Sequence, residues 1–282
     1  MLVGLAGLAG FGALGQAAPG ATETLLVPDD VLQDFQRFLA GRDPLRLRDY
    51  GGPHSRRDVV EVALLLQALA EPDWARRFRL QAVPTDARLK LELRSGRALS
   101  SSTTFWSVDQ RDPQDPLLVS APMVLDGEFE AGTYSLPSNR RAQAARSLDD
   151  VRDLTLLSNR HWQVDWATLE QIGVRKILHV GNWRQMPRML AHGRADALLA
   201  PFQPGKDMAL LAEGLRLVPI PGIKIKLRGT RHYLISRLHP QGVAFRERLD
   251  AGIAQLRRQG LLQQAYEQSG FFKRQVRNWQ TL

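Results

Sequence analysis

Met189-Leu-Ala-His-Gly-Arg-Ala-Asp-Ala-Leu-Leu-Ala-Pro-Phe202 joins the end of an amphipathic helix to a short buried strand with no spare residue between them. Met189 and Leu190 close the helix, Gly193 supplies a left-handed cap, and Ala197 to Ala200 form a core strand. Such a joint is a building block of α/β proteins, and the same alternation of helix and strand continues on both sides of it.

Upstream, the pattern predicts a strand over 24–28, a helix over 30–39 and a loop over 42–54. Ser55-Arg-Arg-Asp58 has the spacing of a capping box, opening a helix whose apolar residues cover much of its circumference. A strand over 77–83 follows, then a helix capped by Thr85 and ending at Ser95-Gly96, then a strand over 98–105. Residues 128–136 read as extended. Ser147-Leu-Asp-Asp150 is a second capping box, before a strand over 154–157. Helix 163–171, strand 176–180, helix 185–191 (Asn182 as cap, Pro187 in its first turn), strand 196–200 and helix 206–213 come next. A strand-like stretch over 215–226, broken by Pro219 and Pro221, precedes a strand over 231–236 and two terminal helices separated by Gly260. This alternation implies a largely parallel sheet with crossover helices.

Together with the tail of the chain, the opening stretch resembles the type II periplasmic solute-binding proteins, specifically extracellular solute-binding protein family 3. Gly193-Arg-Ala-Asp-Ala197 carries the likeness, with His232-Tyr-Leu-Ile-Ser236, His239-Pro240 and Ala265-Tyr-Glu-Gln-Ser-Gly-Phe271. It extends from Thr24 to Phe272 and is weak over residues 24–75. The resemblance implies an α/β, two-lobed periplasmic-binding-protein-like (type II) fold, each lobe a mixed sheet flanked by helices. It places residues 24–120 and 226–282 in a discontinuous lobe 1, residues 121–225 in lobe 2, and the crossings near 116–125 and 217–226.

Composition bounds the function. The 282 residues can bury a large core, and the absence of Cys removes disulfides, thiolate nucleophiles, Cys-based zinc sites and a lipid-modified Cys anchor. Met1 to Gly15 is uncharged and apolar, and Gln16 to Ala21 is a zone of small residues. Residues 1–23 therefore read as a secretory signal lacking its positive n-region, which points to the periplasm; the alternative is a buried or disordered N-terminal segment. The net charge of +9 comes from scattered arginines, with no run of basic residues and no aromatic-basic RNA motif, which argues against nucleic acid.

No catalytic apparatus emerges. The histidines at 54, 161, 179, 192, 232 and 239 fall in no metal-ligand spacing, and G-x-S-x-G is absent. The acid pairs Asp149-Asp150 and Glu128/Glu130 have ordinary structural explanations, in a helix cap and an alternating strand. The expectation is a binding protein without cofactor or metal.

Open α/β sheets bind ligands beyond the carboxyl ends of their strands, so the strand-to-helix turns matter. They hold Thr103, Thr104, Trp106, Ser158, Asn159, Trp162, Asn182, Trp183 and Phe202. Three tryptophans at successive turns suggest an aromatic cleft wall, and helix starts after Asn159 and Asn182 would aim N–H groups at an anion. The resemblance makes Arg111, after the Thr103-Thr104 turn, the carboxylate-gripping residue. It puts Pro201 where amino-acid-binding members carry an ammonium-gripping Asp, which predicts that standard α-amino acids are not the solute. Asp196 should brace its lobe. Arg111, Arg231 and His232 favour an anionic or aromatic carboxylate solute. The resemblance thus implies a solute-binding protein, expected to be a monomer, that closes on a small molecule for a membrane transporter or sensor. A degenerate cleft serving as an interaction or sensory module, or an enzyme on the same fold, are the alternatives.

Overall fold

In a computed structural model, residues 22–107, 114–203 and 205–282 are described. The segment read as a secretory signal lies almost wholly outside them.

Strand β1 (Glu23–Pro28) runs into α1 (Asp29–Leu39), and α2 (Arg57–Leu69) and α3 (Trp74–Arg77) precede β2 (Phe78–Val83). Helix α4 (Asp86–Arg94), β3 (Ser100–Trp106) and β4 (Leu117–Val119) follow. Among the described residues the first sheet has the order β2-β1-β3-β12-β4, where β12 (Arg231–Ser236) returns from late in the chain. β1 pairs in parallel with β2 and β3, whereas β12 is antiparallel to both β3 and β4.

The second sheet begins with β5 (Glu130–Ser135). After α5 (Arg140–Gln143) and α6 (Leu148–Arg152) come β6 (Thr155–Ser158), α7 (Gln163–Gln171), β7 (Lys176–His179), α8 (Gln185–Ala191) and β8 (Ala197–Pro201). Then β9 (Leu210–Ala212), β10 (Leu215–Pro219) and β11 (Ile223–Lys226) complete most of it. β6 is parallel to β7 and β8; β5 is antiparallel to β8, β10 and β11. Both sheets are therefore mixed rather than largely parallel, because β12 and β5 return against their neighbours instead of through crossover helices.

The Met189–Phe202 joint is built as its residues dictate. Gly193, at φ 64°, ends α8 with its N–H on the Leu190 carbonyl at 3.0 Å, while Arg194 N–H reaches the Met189 carbonyl at 3.0 Å. This is a Schellman cap, and the positive φ explains the glycine. Asp196 then braces its sheet: its carboxylate accepts from Thr155 N–H at 2.8 Å and from Asn139 Nδ2 at 3.3 Å.

Helix α2 is the centre of the first half. Val59 through Leu69 are all buried, so it is sheathed on every side, by α1, α9 (Gly242–Arg258), α10 (Leu261–Gln268) and the first sheet. Where α9 crosses α2, a methyl group added at Gly252 would sit 1.9 Å from the Ala68 carbonyl oxygen. The glycine thus permits two helix backbones to touch.

Three local expectations are corrected. The Ser55–Asp58 capping box does not form: Ser55 Oγ donates to the Tyr50 carbonyl and Asp58 turns to Arg56 and Arg57, leaving Arg56 as an uncapped N-cap. Asn182 does not cap α8, which starts from Arg184, although Asn182 Oδ1 accepts from Arg184 N–H at 3.0 Å. The helix expected over 206–213 is the hairpin β9–β10, whose two turn residues, Glu213 and Gly214, have φ of 52° and 72°. Positive φ at both central positions suits a two-residue hairpin turn and is incompatible with a right-handed helix.

The second capping box forms in full. Asp150 N–H donates to Ser147 Oγ at 3.2 Å and Ser147 N–H to Asp150 Oδ2 at 2.9 Å. Ser147→Ala should lower stability by about 1 kcal/mol with an unchanged urea m-value, measured by equilibrium unfolding.

Beyond α10 the chain crosses to the second sheet. Trp279 stands edge-on to Phe202, with centroids 5.6 Å apart, and Val276 is fully buried beside them. β13 (Gln280–Thr281) then pairs in parallel with β11 at that sheet's edge.

Candidate functional site

Two confluent cavities lie between the sheets. The larger, about 710 Å³, is lined by Thr103, Thr104, Trp106, Arg57, Lys90 and Arg231 on one side and by His161, Trp162, Gln163 and Asp165 on the other. The second, about 430 Å³, is mainly apolar, with Phe129, Ala131, Trp183, Leu199, Pro201, Leu210 and Leu227 in its wall. Arg57, Trp106, Trp162, Asp165 and Arg231 line both, so these five side chains mark the junction.

A buried ionic network backs one wall. Glu61, fully buried on α2, accepts from Thr104 N–H at 2.9 Å and from Thr104 Oγ1 at 2.7 Å. Arg57, one helical turn earlier, places Nη1 3.0 Å from both Glu61 oxygens. Tyr266 donates to the same carboxylate at 3.3 Å, and Tyr233 to the Glu61 carbonyl at 2.6 Å. Burial works to lower the Arg57 pKa, but Glu61 and Asp58 more than reverse it and leave it raised. Burial raises both tyrosines well above their ordinary value, so they remain hydroxyl donors.

Arg231 differs. It is buried, donates from Nε to Thr104 Oγ1 at 3.0 Å and from Nη2 to the Thr104 carbonyl, and lies over the Trp106 ring at 4.9 Å. It forms no ion pair among the described residues, and burial, reinforced by Arg57, lowers its pKa to about 10. The carboxylate of Asp165, in the first turn of α7, also has neither ion pair nor hydrogen bond among them. Burial raises its carboxyl to about 6, with Arg231 pulling the other way.

The aromatic residues flank these charges. Trp162 and Trp183 meet at 6.1 Å between centroids, and Trp106 stacks on Phe129 at 5.5 Å.

The sequence-predicted residues separate accordingly. Thr103, Thr104, Trp106 and Trp162 line the larger cavity, and Trp183 joins Trp106 and Trp162 in the apolar one. Pro201 is in that wall too. Arg111 lies outside the described residues. Phe202 does not face the cavities; it is buried against Trp279 and Gly132. Asn159 tethers the turn instead, accepting from His161 N–H at 2.9 Å and donating to the Gly181 carbonyl at 3.1 Å. Ser158 is buried, its hydroxyl without a hydrogen-bond partner among the described residues, and neither it nor Asn182 lines either cavity. His232 stands behind the wall, with Nδ1 2.6 Å from the Ser120 carbonyl. Sequence reasoning missed Arg57, Glu61 and Asp165. For the first two a signal existed: an acid set among the apolar residues of a helix, with an Arg four residues before it.

No family model matches the sequence, and no curated protein does. Solved structures do. The periplasmic VFT2 domain of BvgS from Bordetella pertussis is 14% identical, with TM-score 0.55 over 89% of this chain and 93% of that one. Substrate-binding domain 2 of GlnP from Lactococcus lactis, in an open conformation, is 12% identical, with TM-score 0.53 over 90% and 98%. A probable amino-acid ABC transporter extracellular-binding protein, ytmK of Bacillus subtilis, is 13% identical, with TM-score 0.57 over 87% and 96%.

The chain has the two-lobed type II periplasmic-binding fold. Within this fold the cavities lie between the lobes. Among the described residues no helix is long and apolar enough to cross a membrane, and no cluster of three or more His, Asp or Glu is placed to hold a metal.

Proposed function

We propose that this protein is an exported solute-binding protein that closes two lobes around a small anionic solute with an apolar or aromatic body. The observation that carries this reading is Arg231, a buried guanidinium with no carboxylate partner among the described residues, in the wall of a tryptophan-lined chamber. Charge-assisted bonds to a buried Arg and apolar burial against indoles supply the two halves of such recognition.

In this reading lobe 1 comprises residues 24–120 and 226–282, apart from the last residues, which cross to the second sheet, and lobe 2 residues 121–225; closure is a hinge motion without covalent chemistry. The likeness to transporter-linked substrate-binding domains and to a periplasmic VFT domain supports delivery of the solute to a membrane transporter or sensor. It also supports a periplasmic location, with residues 1–23 as the export signal. Pro201 offers an ammonium no partner, but Asp165 returns one carboxylate to the opposing wall from a different element. A standard α-amino acid is therefore disfavoured by the scarcity of acceptors where the two cavities meet, where Asp165 is the one acceptor side chain among the described residues, rather than by Pro201.

A thermal-shift screen of small carboxylates, followed by small-angle scattering of the best ligand, tests the reading. At least one compound should raise Tm and shrink the radius of gyration. A screen across acids, amines, sugars and amino acids with no shift would refute it.

A further inference from the structure

Resting on the solute-binding reading, we infer that Asp165 sets the charge selectivity of the cleft: it admits a solute with one anionic group and makes its capture take up a proton. At the junction, Arg57 is matched by Glu61, and Arg231 and Asp165 stand as opposed charges on facing walls with no ion-pair partner among the described residues. Arg231 Nη1 makes no hydrogen bond to a described residue, so that face of the guanidinium is available to a solute carboxylate. An anion there stands next to Asp165, and the pair of like charges is relieved when the Asp165 carboxyl is protonated and donates to the solute. Burial already brings that carboxyl to about 6, within reach of neutral pH.

A zwitterion would also balance the charges, but its ammonium brings three N–H donors. The other four junction residues, Arg57, Arg231, Trp106 and Trp162, offer donors and apolar rings but no acceptor on their side chains. Among the described residues Asp165 is thus the one acceptor side chain that lines both cavities, one carboxylate for three donors at the junction. A dianion would add a second negative charge against Asp165.

Other charged groups share the larger cavity with Asp165: Asp30 on α1, Arg57 and Asp58 on α2, Asp86 and Lys90 on α4, Arg231 on β12 and His161 just before α7. His161 is the one histidine in the lining of that cavity among the described residues, so His161→Gln is the control for any pH effect.

Calorimetry with benzoate, phthalate and phenylalanine on the full chain, Asp165→Asn and His161→Gln tests the inference. Because one proton accompanies each solute, benzoate affinity should rise about tenfold from pH 7.5 to 6.5 in the wild type and in His161→Gln. In Asp165→Asn it should be higher at pH 7.5 and flat with pH. Phthalate should bind more weakly than benzoate. Without any solute, Asp165→Asn should raise Tm at pH 7.5, where the wild type holds a buried charge, and not at pH 4, where Asp165 is protonated. Loss of benzoate binding in Asp165→Asn, a pH slope that follows His161, or phenylalanine binding that Asp165→Asn abolishes would overturn it. If benzoate binds neither wild type nor Asp165→Asn, the charge assignment is overturned. The solute-binding reading then still stands if another compound raises Tm in the screen.

Discussion

Glu61→Leu should cost about 3–5 kcal/mol of folding stability, enough to threaten a protein of ordinary stability. The carboxylate is fully buried and holds Arg57, both Thr104 donors and the Tyr266 hydroxyl. An apolar replacement fills the space but strands these donors, and it leaves Arg57 and Arg231 facing each other with their nearest buried counter-charge gone. Glu61→Gln should cost less, because the amide oxygen still accepts from one of these donors. In Arg57→Leu combined with Glu61→Leu the damage should be smaller than in Glu61→Leu alone, since the stranded cation is removed with its partner. Urea unfolding of the three variants gives the answer. Equal losses in all of them would show that packing, rather than charge, dominates the site.

Gly252→Val should be comparably severe for a different reason. A first side-chain carbon at that place meets the Ala68 carbonyl oxygen at 1.9 Å and the Ala68 carbonyl carbon at 2.5 Å, both backbone atoms. Neither can rotate away, so α9 must lift off α2. Overpacking typically costs about 1–3 kcal/mol, and backbone-against-backbone conflict puts this case at or above the upper end. Ala251→Val, one residue earlier on the exposed side of α9, should stay within about 0.5 kcal/mol. Equilibrium unfolding compares the pair, and similar losses in both would trace the effect to helix propensity instead.

Regular elements with one buried face were legible in the sequence, because burial imposes period. Helix α7 at 163–171, α8 at 185–191 and β12 at 231–236 have the bounds that their residues predict. The β9–β10 hairpin was not, since Met208, Leu210 and Leu211 mimic a helical face while the left-handed Glu213-Gly214 turn carries no Asn or Asp to announce it. Ser55 shows the same gap on a smaller scale: a capping spacing was present, but Tyr50 offered its hydroxyl another acceptor. At the cleft, the tryptophans were visible because they cluster at strand ends. Asp165 was hidden because its burial is produced by tertiary packing and the cation it faces, Arg231, lies 66 positions later on the facing sheet. Phe202 was misleading for the converse reason; the residue that covers it, Trp279, lies near the far end of the chain.

That covering residue belongs to the segment that ends at β13. The sheets are already joined by the chain between β4 and β5 and between β11 and β12, and the passage from α10 to β13 is a third bridge. Lys224 Nζ clasps the Arg277 carbonyl at 3.1 Å, and Leu282 N–H returns to the Lys224 carbonyl at 2.9 Å. Two tethers alone leave a body free to swing and to swivel. A third moored to the rim of one sheet restrains the swivel, so any relative travel of the halves must be a nod, dragging Trp279 and its mooring along.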